Sequence, residues 1–327
     1  MTVVDVHTHM LTAAWLELLR EHGAPRYSVQ ATVGGEDAVH LDGAPFMTLT
    51  TPMFDYEARI AAMDDAGVDL AIVSLTCPNA YWGTPEVSHR AAAIVNDDMA
   101  AARVRWPDRI GFFCSLPWEH ADLARSELAR ACDLGALGVM VLANIAGRPL
   151  TDPAFAPIWE DIERRALPVL VHPTAPPGTA ELDLAAYNLV ASVGFVFDTT
   201  LAISRMIFDG FFDRYPDLVI IAGHGGGTLP YIVGRLDRCF EQMPACRERI
   251  QRPPSEYLRR LYYDSVLYEA EALRSCLDLA GPGHVLFGSD YPHNIGDMRG
   301  CLARVDALAP TVRHAVRGAN AAELFRL

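Results

Sequence analysis

The 327-residue chain contains no lysine, and all 27 of its basic residues are arginines. Without lysine the chain cannot form a Schiff base with a carbonyl substrate, hold pyridoxal phosphate through an imine, or build a phosphate-binding P-loop. It also cannot bridge two metal ions through a carbamylated lysine. A coding bias towards arginine is the simplest cause of this composition, and the exclusions hold whatever the cause.

Positive charge is also scarce, since 41 acidic residues against 27 basic ones leave a formal net charge of −14. This balance argues against general affinity for nucleic acid or for anionic membranes. It does not exclude an anionic substrate, because a few local arginines can dominate the potential inside a pocket. The remaining composition, 51% hydrophobic and 21% charged, is typical of a globular protein.

Disulfide and targeting signals are absent as well. The seven cysteines are scattered, odd in number and form no CxxC pair, which predicts free thiols in a reducing compartment. The first residues lack the basic and apolar regions of a signal peptide. No uninterrupted apolar run approaches the ~18 residues that a membrane span needs. We therefore expect a soluble, cytoplasmic protein.

Eight short apolar segments alternate with stretches of helical periodicity, and several of them are apolar throughout, as buried parallel strands are. The predicted strands are Val3–Val6, Leu70–Leu75, Ile110–Leu116, Gly138–Leu142, Pro168–Val171, Leu218–Ala222, Leu261–Asp264 and Val285–Gly288. Predicted helices such as Tyr56–Ala66 and Pro85–Arg105 end just before glycine or proline. This alternation predicts an α/β fold, a single (β/α)8 barrel over residues 1–327. A doubly wound open sheet is the alternative, but its glycine-rich fingerprint after the first strand is missing.

Two long insertions interrupt this alternation. Residues Ala24–Thr51 precede the second helix, and residues Thr174–Tyr187 follow the fifth strand. Loops after barrel strands lie on the catalytic face. The segment Thr174–Tyr187 is therefore predicted to form a lid or a pocket wall.

Polar side chains follow four of the predicted strands. The first strand runs into Asp5-Val6-His7-Thr8-His9, and residues i and i+2 of an extended chain point to the same side, so His7 and His9 can bind one ion. The fifth, sixth and eighth strands run into His172, His224 and Asp290. A single histidine after an apolar strand is more often structural, but this combination favours a site for zinc or a similar divalent metal.

From His7 to Asp290 the order and placement of these residues resemble the amidohydrolase superfamily. The resemblance implies that His7, His9, His172 and Asp290 bind metal, and that His224 is either a second-metal ligand or a catalytic acid/base. Binuclear members carry a carbamylated lysine or a glutamate at the end of strand four, where this chain has Ala143-Asn144. We therefore predict one divalent ion, zinc by default with manganese as the alternative, and neither pyridoxal phosphate nor a nucleotide.

Shorter strings resemble the decarboxylase branch typified by aminocarboxymuconate semialdehyde decarboxylase. They are His224-Gly225-Gly226-Gly227, Gly234-Arg235-Leu236-Asp237-Arg238, Arg252–Tyr257, Tyr263-Asp264-Ser265 and Gly288–Pro292. The stretch Phe195–Thr200 is more similar to relatives that decarboxylate small aromatic acids such as methylsalicylate. The resemblance implies that Arg235 binds a substrate carboxylate in the active site of a neighbouring subunit, and hence that the protein is a homodimer. Without the resemblance, Arg235 is better interpreted as a surface arginine.

One substrate-binding residue of the aminocarboxymuconate enzyme has no counterpart here. That enzyme carries an arginine in the loop before the second helix, and alignment on Phe54-Asp55 without gaps places Met47 at that position, with no arginine between Arg26 and Arg59. The loss of this carboxylate clamp disfavours a dicarboxylate substrate. Trp82 and Phe46 are candidates to contact an aromatic or polyene substrate, although ordinary packing is the simpler role for both.

These residues together predict a metal-dependent non-oxidative decarboxylase, a carboxy-lyase, acting on a small aromatic or unsaturated carboxylic acid. His224 is the predicted proton donor, and Asp290 is the ligand that can also relay protons. A metal-dependent hydrolase of an amide, ester or lactone, with Asp290 as base, is the alternative on the same scaffold. A hydratase and a non-catalytic barrel that keeps its metal for structural reasons are further alternatives.

Overall fold

The computed structural model describes residues 2–327, and its central element is an eight-stranded parallel sheet that follows chain order. The strands are β1 Val4–His9, β2 Leu70–Ser74, β3 Ile110–Cys114, β4 Gly138–Leu142, β5 Val169–His172, β6 Ile220–Ala222, β7 Tyr262–Asp264 and β8 Val285–Leu286. The sheet closes where the Val6 amide donates to the Phe287 carbonyl at 2.9 Å and Thr8 pairs with Tyr291. All eight predicted strands are present, with ends shifted by at most three residues, and the predicted barrel is confirmed.

Helices occupy most of the connections between the strands. The α-helices are Ala13–His22, Tyr56–Ala66, Pro85–Arg105, Ala121–Asp133, Ala156–Arg164, Phe195–Phe208, Phe211–Arg214, Gly223–Gly226, Leu229–Gln242, Pro254–Leu258, Ala270–Ala280, Met298–Asp306, Pro310–His314 and Asn320–Phe325. Shorter 3-10 or π turns cover Thr51–Met53, Pro153–Phe155, Ala186–Asn188, Val190–Gly194, Pro244–Arg247, Pro282–His284 and Ala315–Ala319. Two short strands, Asn144–Ile145 and Arg148–Pro149, form a hairpin after β4.

Local signals account for the helix bounds that the sequence predicted correctly. The helix Tyr56–Ala66 begins where the Asp55 carboxylate accepts a hydrogen bond from the Ala58 amide at 3.0 Å. It ends at Gly67, whose φ of 76° is left-handed and suits glycine. Because both ends depend on neighbouring residues alone, the predicted bounds match the observed ones.

The first insertion has a structure that the sequence analysis did not predict. Its residues form an antiparallel sheet of three strands, Tyr27–Ala31, Asp37–Leu41 and Ala44–Thr48. This insertion sheet lies between the helices Ala13–His22 and Tyr56–Ala66, and residues from it reach the cavity at the carboxyl end of the barrel. The insertion thus contributes to the site and is not a plain surface loop.

The segment Ala186–Phe208 is long and apolar enough to span a membrane by length and composition alone. A helix packed against a protein core meets the same criterion. Here Ile203 and Met206 are fully buried, and the helix also buries the carboxylate of Asp198. The length and composition of this segment therefore give little support for a membrane span.

Candidate metal centre and active-site cavity

Four buried side chains converge at the carboxyl end of the barrel. His7 and His9 lie on β1, His172 ends β5, and Asp290 follows β8. One potential ligand atom from each lies within 4.8 Å of all the others. Three imidazoles and one carboxylate form a donor set that suits a single divalent ion such as zinc or manganese. The structure therefore brings together the predicted ligands as one divalent-metal site.

Outer hydrogen bonds turn two of the imidazoles so that Nε2 faces this site. His7 Nδ1 donates to Asp264 Oδ2 at 2.5 Å, and His172 Nδ1 donates to the Pro173 carbonyl at 2.7 Å. The Nε2 atoms of His7 and His172 are buried and have no hydrogen-bond partner among residues 2–327. Buried nitrogens normally have a partner, so two orphaned Nε2 atoms directed at one point fit a bound ion.

His9 completes the set of imidazoles. Its Nδ1 lies 3.2 Å from Ser74 Oγ at the end of β2, and its Nε2 lies 3.2 Å from Asp290 Oδ1. Burial lowers the pKa of His9 to about 3. Burial, together with the neighbouring His9 and His7, also holds the pKa of His172 well below its usual range. Both rings are therefore neutral near pH 7, and neutral imidazole is the form that binds metal.

Asp290 connects the ligand set to His224. Burial alone would raise the pKa of Asp290, but its interactions with His224 and His9 outweigh this effect and hold the pKa well below its usual range. The carboxylate is therefore ionised, and its Oδ2 lies 3.6 Å from His224 Nε2. His224 and Asp290 have φ angles of 54° and 58°, a left-handed conformation that is uncommon outside glycine. Such strain persists where the surrounding structure holds it, as at functional sites.

Asp264, at the end of β7, supplies much of that support. Besides His7 Nδ1, its carboxylate accepts hydrogen bonds from the backbone amides of His224 and Gly225, each at 3.0 Å. Burial would raise the pKa of Asp264, but the nearby His7 lowers it below its usual value. One buried carboxylate thus orients a metal ligand and the backbone of the candidate acid/base. The sequence analysis noted Asp264 only within a family string and missed this role, although an acidic residue at the end of a barrel strand was a usable signal.

A cavity of about 430 Å³ opens above these residues. His172, His224 and Asp290 line its floor, and apolar side chains including Phe46 and Phe195 form its walls. The two phenyl rings meet edge to face with centroids 6.2 Å apart. The volume is in the range of small-molecule sites, and an aromatic wall beside a metal site suits a small planar ligand.

Known proteins show the same sequence pattern and the same architecture. A sequence model of the amidohydrolase family matches residues 4–327. The chain belongs to the amidohydrolase family. Over 331 residues it is 30% identical to 2-amino-3-carboxymuconate-6-semialdehyde decarboxylase of Dictyostelium discoideum, covering 99% of this chain and 91% of that protein.

Two solved structures resemble this amidohydrolase along its whole length. The crystal structure of 5-carboxyvanillate decarboxylase from Sphingomonas paucimobilis has a TM-score of 0.87 at 26% identity and covers 100% of this chain and 99% of its own. A dihydroxybenzoic acid decarboxylase from Polaromonas, solved with bound manganese and the inhibitor 2-nitroresorcinol, has a TM-score of 0.81. It is 20% identical, with coverage of 100% of this chain and 97% of that chain, and shows the shared fold.

His293 is a cavity residue of this amidohydrolase that the sequence analysis missed. Its ring lies 5.0 Å from that of His9, measured between centroids, and its Nε2 lies 3.0 Å from Thr76 Oγ1. Burial lowers the pKa of His293. Its position three residues after Asp290, on the loop that follows β8, was the available signal.

Two predicted contributors to the cavity lie elsewhere in this amidohydrolase. Trp82 is buried, donates from Nε1 to the Asn79 carbonyl at 2.8 Å and packs against Trp15. It is not among the described residues that line the cavity, so packing is its role within this chain. The predicted wall Thr174–Tyr187 also contributes no lining residue from the described part of the chain. The insertion sheet takes its place because Phe46 and Met47, on the strand Ala44–Thr48, reach the cavity.

Arg235 lies outside the cavity of its own chain. It is exposed on the helix Leu229–Gln242 and forms no ion pair with any residue from 2 to 327. Contact between Arg235 and a substrate therefore requires the cavity of a second subunit.

Proposed function

We propose that this amidohydrolase is a metal-dependent non-oxidative decarboxylase of a small aromatic monocarboxylic acid. The observation that carries the proposal is the convergence of three histidines, Asp290 and His224 on the floor of a cavity with aromatic walls. The decarboxylases to which the chain is similar along its whole length support the same reaction class.

The donor set fits either zinc or manganese, and the Polaromonas protein contains manganese. We propose that His7, His9, His172 and Asp290 hold one such ion, with zinc as the first candidate. When bound, the ion supplies a Lewis acid for substrate oxygens. Elemental analysis of purified protein, followed by reconstitution with each metal, identifies the ion that supports activity.

His224 is positioned to deliver the proton that decarboxylation requires. The proton passes from His224 to the substrate carbon that bears the carboxylate, the bond between that carbon and the carboxylate breaks, and its electron pair stays with the substrate. Carbon dioxide leaves and a carbon–hydrogen bond replaces the lost bond. Asp290, ionised and 3.6 Å from His224, can relay the replacement proton.

The charges around the cavity favour a substrate with one carboxylate. Asp290 and Glu36 are the acidic lining residues, and among residues 2–327 no arginine of the same chain lines the cavity. Met47, at the position of the missing carboxylate clamp, lines it instead. A second carboxylate finds no arginine of the same chain to pair with, whereas an aromatic ring can pack against Phe46 and Phe195.

The assembly that we propose is a homodimer in which Arg235 enters the partner subunit's cavity. Thr200 and Thr228 hydrogen-bond at 2.9 Å where two helices meet. Phe197, three residues before Thr200, is 45% exposed, and Tyr231, three residues after Thr228, is 91% exposed. These apolar side chains offer a surface for a second copy beside Arg235.

Complementation between inactive variants tests this arrangement. Co-expressed Arg235→Ala and His224→Ala chains should regain activity, since a mixed dimer contains one intact cavity and about a quarter of all cavities are intact. No recovery in a preparation that mass spectrometry shows to contain mixed dimers would contradict the assignment of Arg235.

The reaction is tested with metal-loaded protein and a panel of hydroxybenzoates, scored by carbon dioxide release. Lactones, esters and amides are assayed in parallel for hydrolysis. Carbon dioxide release that disappears on metal removal supports the decarboxylase. Hydrolysis without carbon dioxide release refutes it in favour of the hydrolase.

A further inference from the structure

Asp198 is a buried carboxylate that the proposed reaction does not use. It lies on the helix Phe195–Phe208, is 1% exposed and forms no ion pair within residues 2–327. Its oxygens accept hydrogen bonds from Asn144 Nδ2 at 3.0 and 3.1 Å, and its Oδ2 accepts another from the Thr174 amide at 3.0 Å. An unpaired buried carboxylate is expensive to retain unless hydrogen bonds satisfy it, so the choice of these partners needs an explanation.

The Thr174 amide belongs to the peptide unit that orients a metal ligand. The carbonyl of the same unit, that of Pro173, accepts the hydrogen bond from His172 Nδ1 at 2.7 Å. In a planar trans peptide the N–H and C=O groups point in opposite directions. Holding the N–H towards Asp198 therefore holds the carbonyl towards the His172 ring.

We propose that Asp198 is a positioning residue for His172 and acts through the Pro173–Thr174 peptide. A carboxylate that accepts from the N–H polarises the peptide and strengthens its carbonyl as an acceptor. The carbonyl then keeps the proton of His172 on Nδ1 and leaves Nε2 free towards the metal site. Asp264 does the same for His7 by direct contact, so two of the three histidine ligands are oriented by a buried carboxylate.

Asn144, just after the end of β4, belongs to the same hydrogen-bond network as Asp198. Its Nδ2 also donates to the Ala175 carbonyl at 3.1 Å, and its Oδ1 accepts from the Gly147 amide at 2.8 Å. The side chain thus ties Asp198 to the hairpin after β4 and to the chain after His172. Binuclear relatives are expected to carry a bridging metal ligand at the end of this strand. Here Asn144 follows that strand end and hydrogen-bonds Asp198, the residue that we propose to orient His172.

Metal affinity, measured without turnover, tests the proposal. The assay is competition with a chromophoric chelator at pH 8, because burial raises the pKa of Asp198 to about 6 and the carboxylate is ionised at pH 8. Asp198→Ala should weaken metal binding about 10- to 100-fold, as loss of outer-shell partners typically does. Asp198→Asn should have a smaller effect, since the amide oxygen can still accept from Thr174.

Asp161→Ala is the matched control. Asp161 is similarly buried but bonds Arg125 and Arg164 on the outer surface of the barrel. Its loss should lower stability and leave metal affinity unchanged.

Nitrogen NMR of metal-free, histidine-labelled protein gives a second readout. Wild type should show the His172 proton on Nδ1, and Asp198→Ala should show a mixture of tautomers. A folded Asp198→Ala variant with metal affinity within about twofold of wild type overturns the proposal, because outer-shell losses are normally larger. If Asp198→Ala does not fold, Asp198→Asn decides, because a neutral amide oxygen is a weaker acceptor than a carboxylate: unchanged metal affinity and an unchanged His172 tautomer in Asp198→Asn overturn the proposal. None of these outcomes depends on whether the enzyme is a decarboxylase.

Discussion

Replacing Asp264 by asparagine is the sharpest single test of how this metal centre is held. The carboxylate is fully buried; its Oδ2 accepts from His7 and from the His224 amide, and its Oδ1 accepts from the amides of Gly225 and Val266. An asparagine of the same shape keeps one acceptor oxygen and puts an NH2 group in place of the other. Whichever way the amide turns, two of these donors lose their acceptor.

The expected losses of stability and metal affinity follow from the two donors that lose their acceptor. Each buried donor left without an acceptor costs about 1–3 kcal/mol of folding free energy. If the oxygen stays with Gly225 and Val266, His7 loses the group that sets its tautomer, and metal affinity should fall about 10- to 100-fold. If the oxygen stays with His7 and the His224 amide, the amides of Gly225 and Val266 lose their acceptor, so the loop after His224 loses support and turnover should fall more than metal affinity.

Two measurements distinguish these outcomes. Chemical denaturation of metal-free protein gives the loss in unfolding free energy, and chelator competition gives the change in metal affinity. Asp213→Asn is the control, because Asp213 bonds Arg252 and Tyr257 on the outer surface and should leave both metal affinity and turnover unchanged. An Asp264→Asn enzyme with wild-type stability, metal affinity and turnover would show that the carboxylate does not support the centre.

Three further predictions concern single groups. His224→Ala should keep about one metal per chain and lose about 10²- to 10⁴-fold in turnover, with His22→Ala on the outer helix as the control; near-normal turnover would remove His224 from the mechanism. His172→Ala should lose its metal, and an unchanged metal content by elemental analysis would contradict its assignment as a ligand. Burial raises the pKa of Asp198 from 3.8 to about 6, so between these values the folded chain binds more protons than the unfolded chain. The stability of the metal-free wild type relative to Asp198→Asn should therefore fall by about 2 kcal/mol from pH 4 to pH 7, and a difference that does not change with pH would contradict burial of the carboxylate.

Several features of this protein could be predicted from the sequence because each depends on residues close together in the chain. Strand β4 has the bounds that its run of apolar residues predicts, and the helix Tyr56–Ala66 has the bounds set by Asp55 and Gly67. The ligand set was predictable for a related reason. In a parallel barrel every strand delivers its last residues to one face, so His172 and Asp290 could be placed near each other from strand order alone.

The sequence analysis missed the insertion sheet, although parts of it have local signals. Val39 opposes Met47 across the single turn Asp42-Gly43, a dipeptide typical of two-residue hairpins. The strand Tyr27–Ala31 also alternates apolar and polar residues, but these local signals do not show that the sheet reaches the cavity. The cavity wall was predicted at Thr174–Tyr187, whereas Phe46, named from the sequence only as a candidate substrate contact, lines the cavity from the insertion sheet.

The sequence by itself determined the barrel, the four metal ligands and the absence of any lysine-bridged second metal. Only the tertiary structure decided which groups orient those ligands. Asp264 and His7 are 257 residues apart and meet at 2.5 Å, and Asp198, on the helix Phe195–Phe208, reaches His172 through the Pro173–Thr174 peptide at the end of β5. Such contacts depend on the angle at which whole elements pack, and no local pattern of residues encodes that angle.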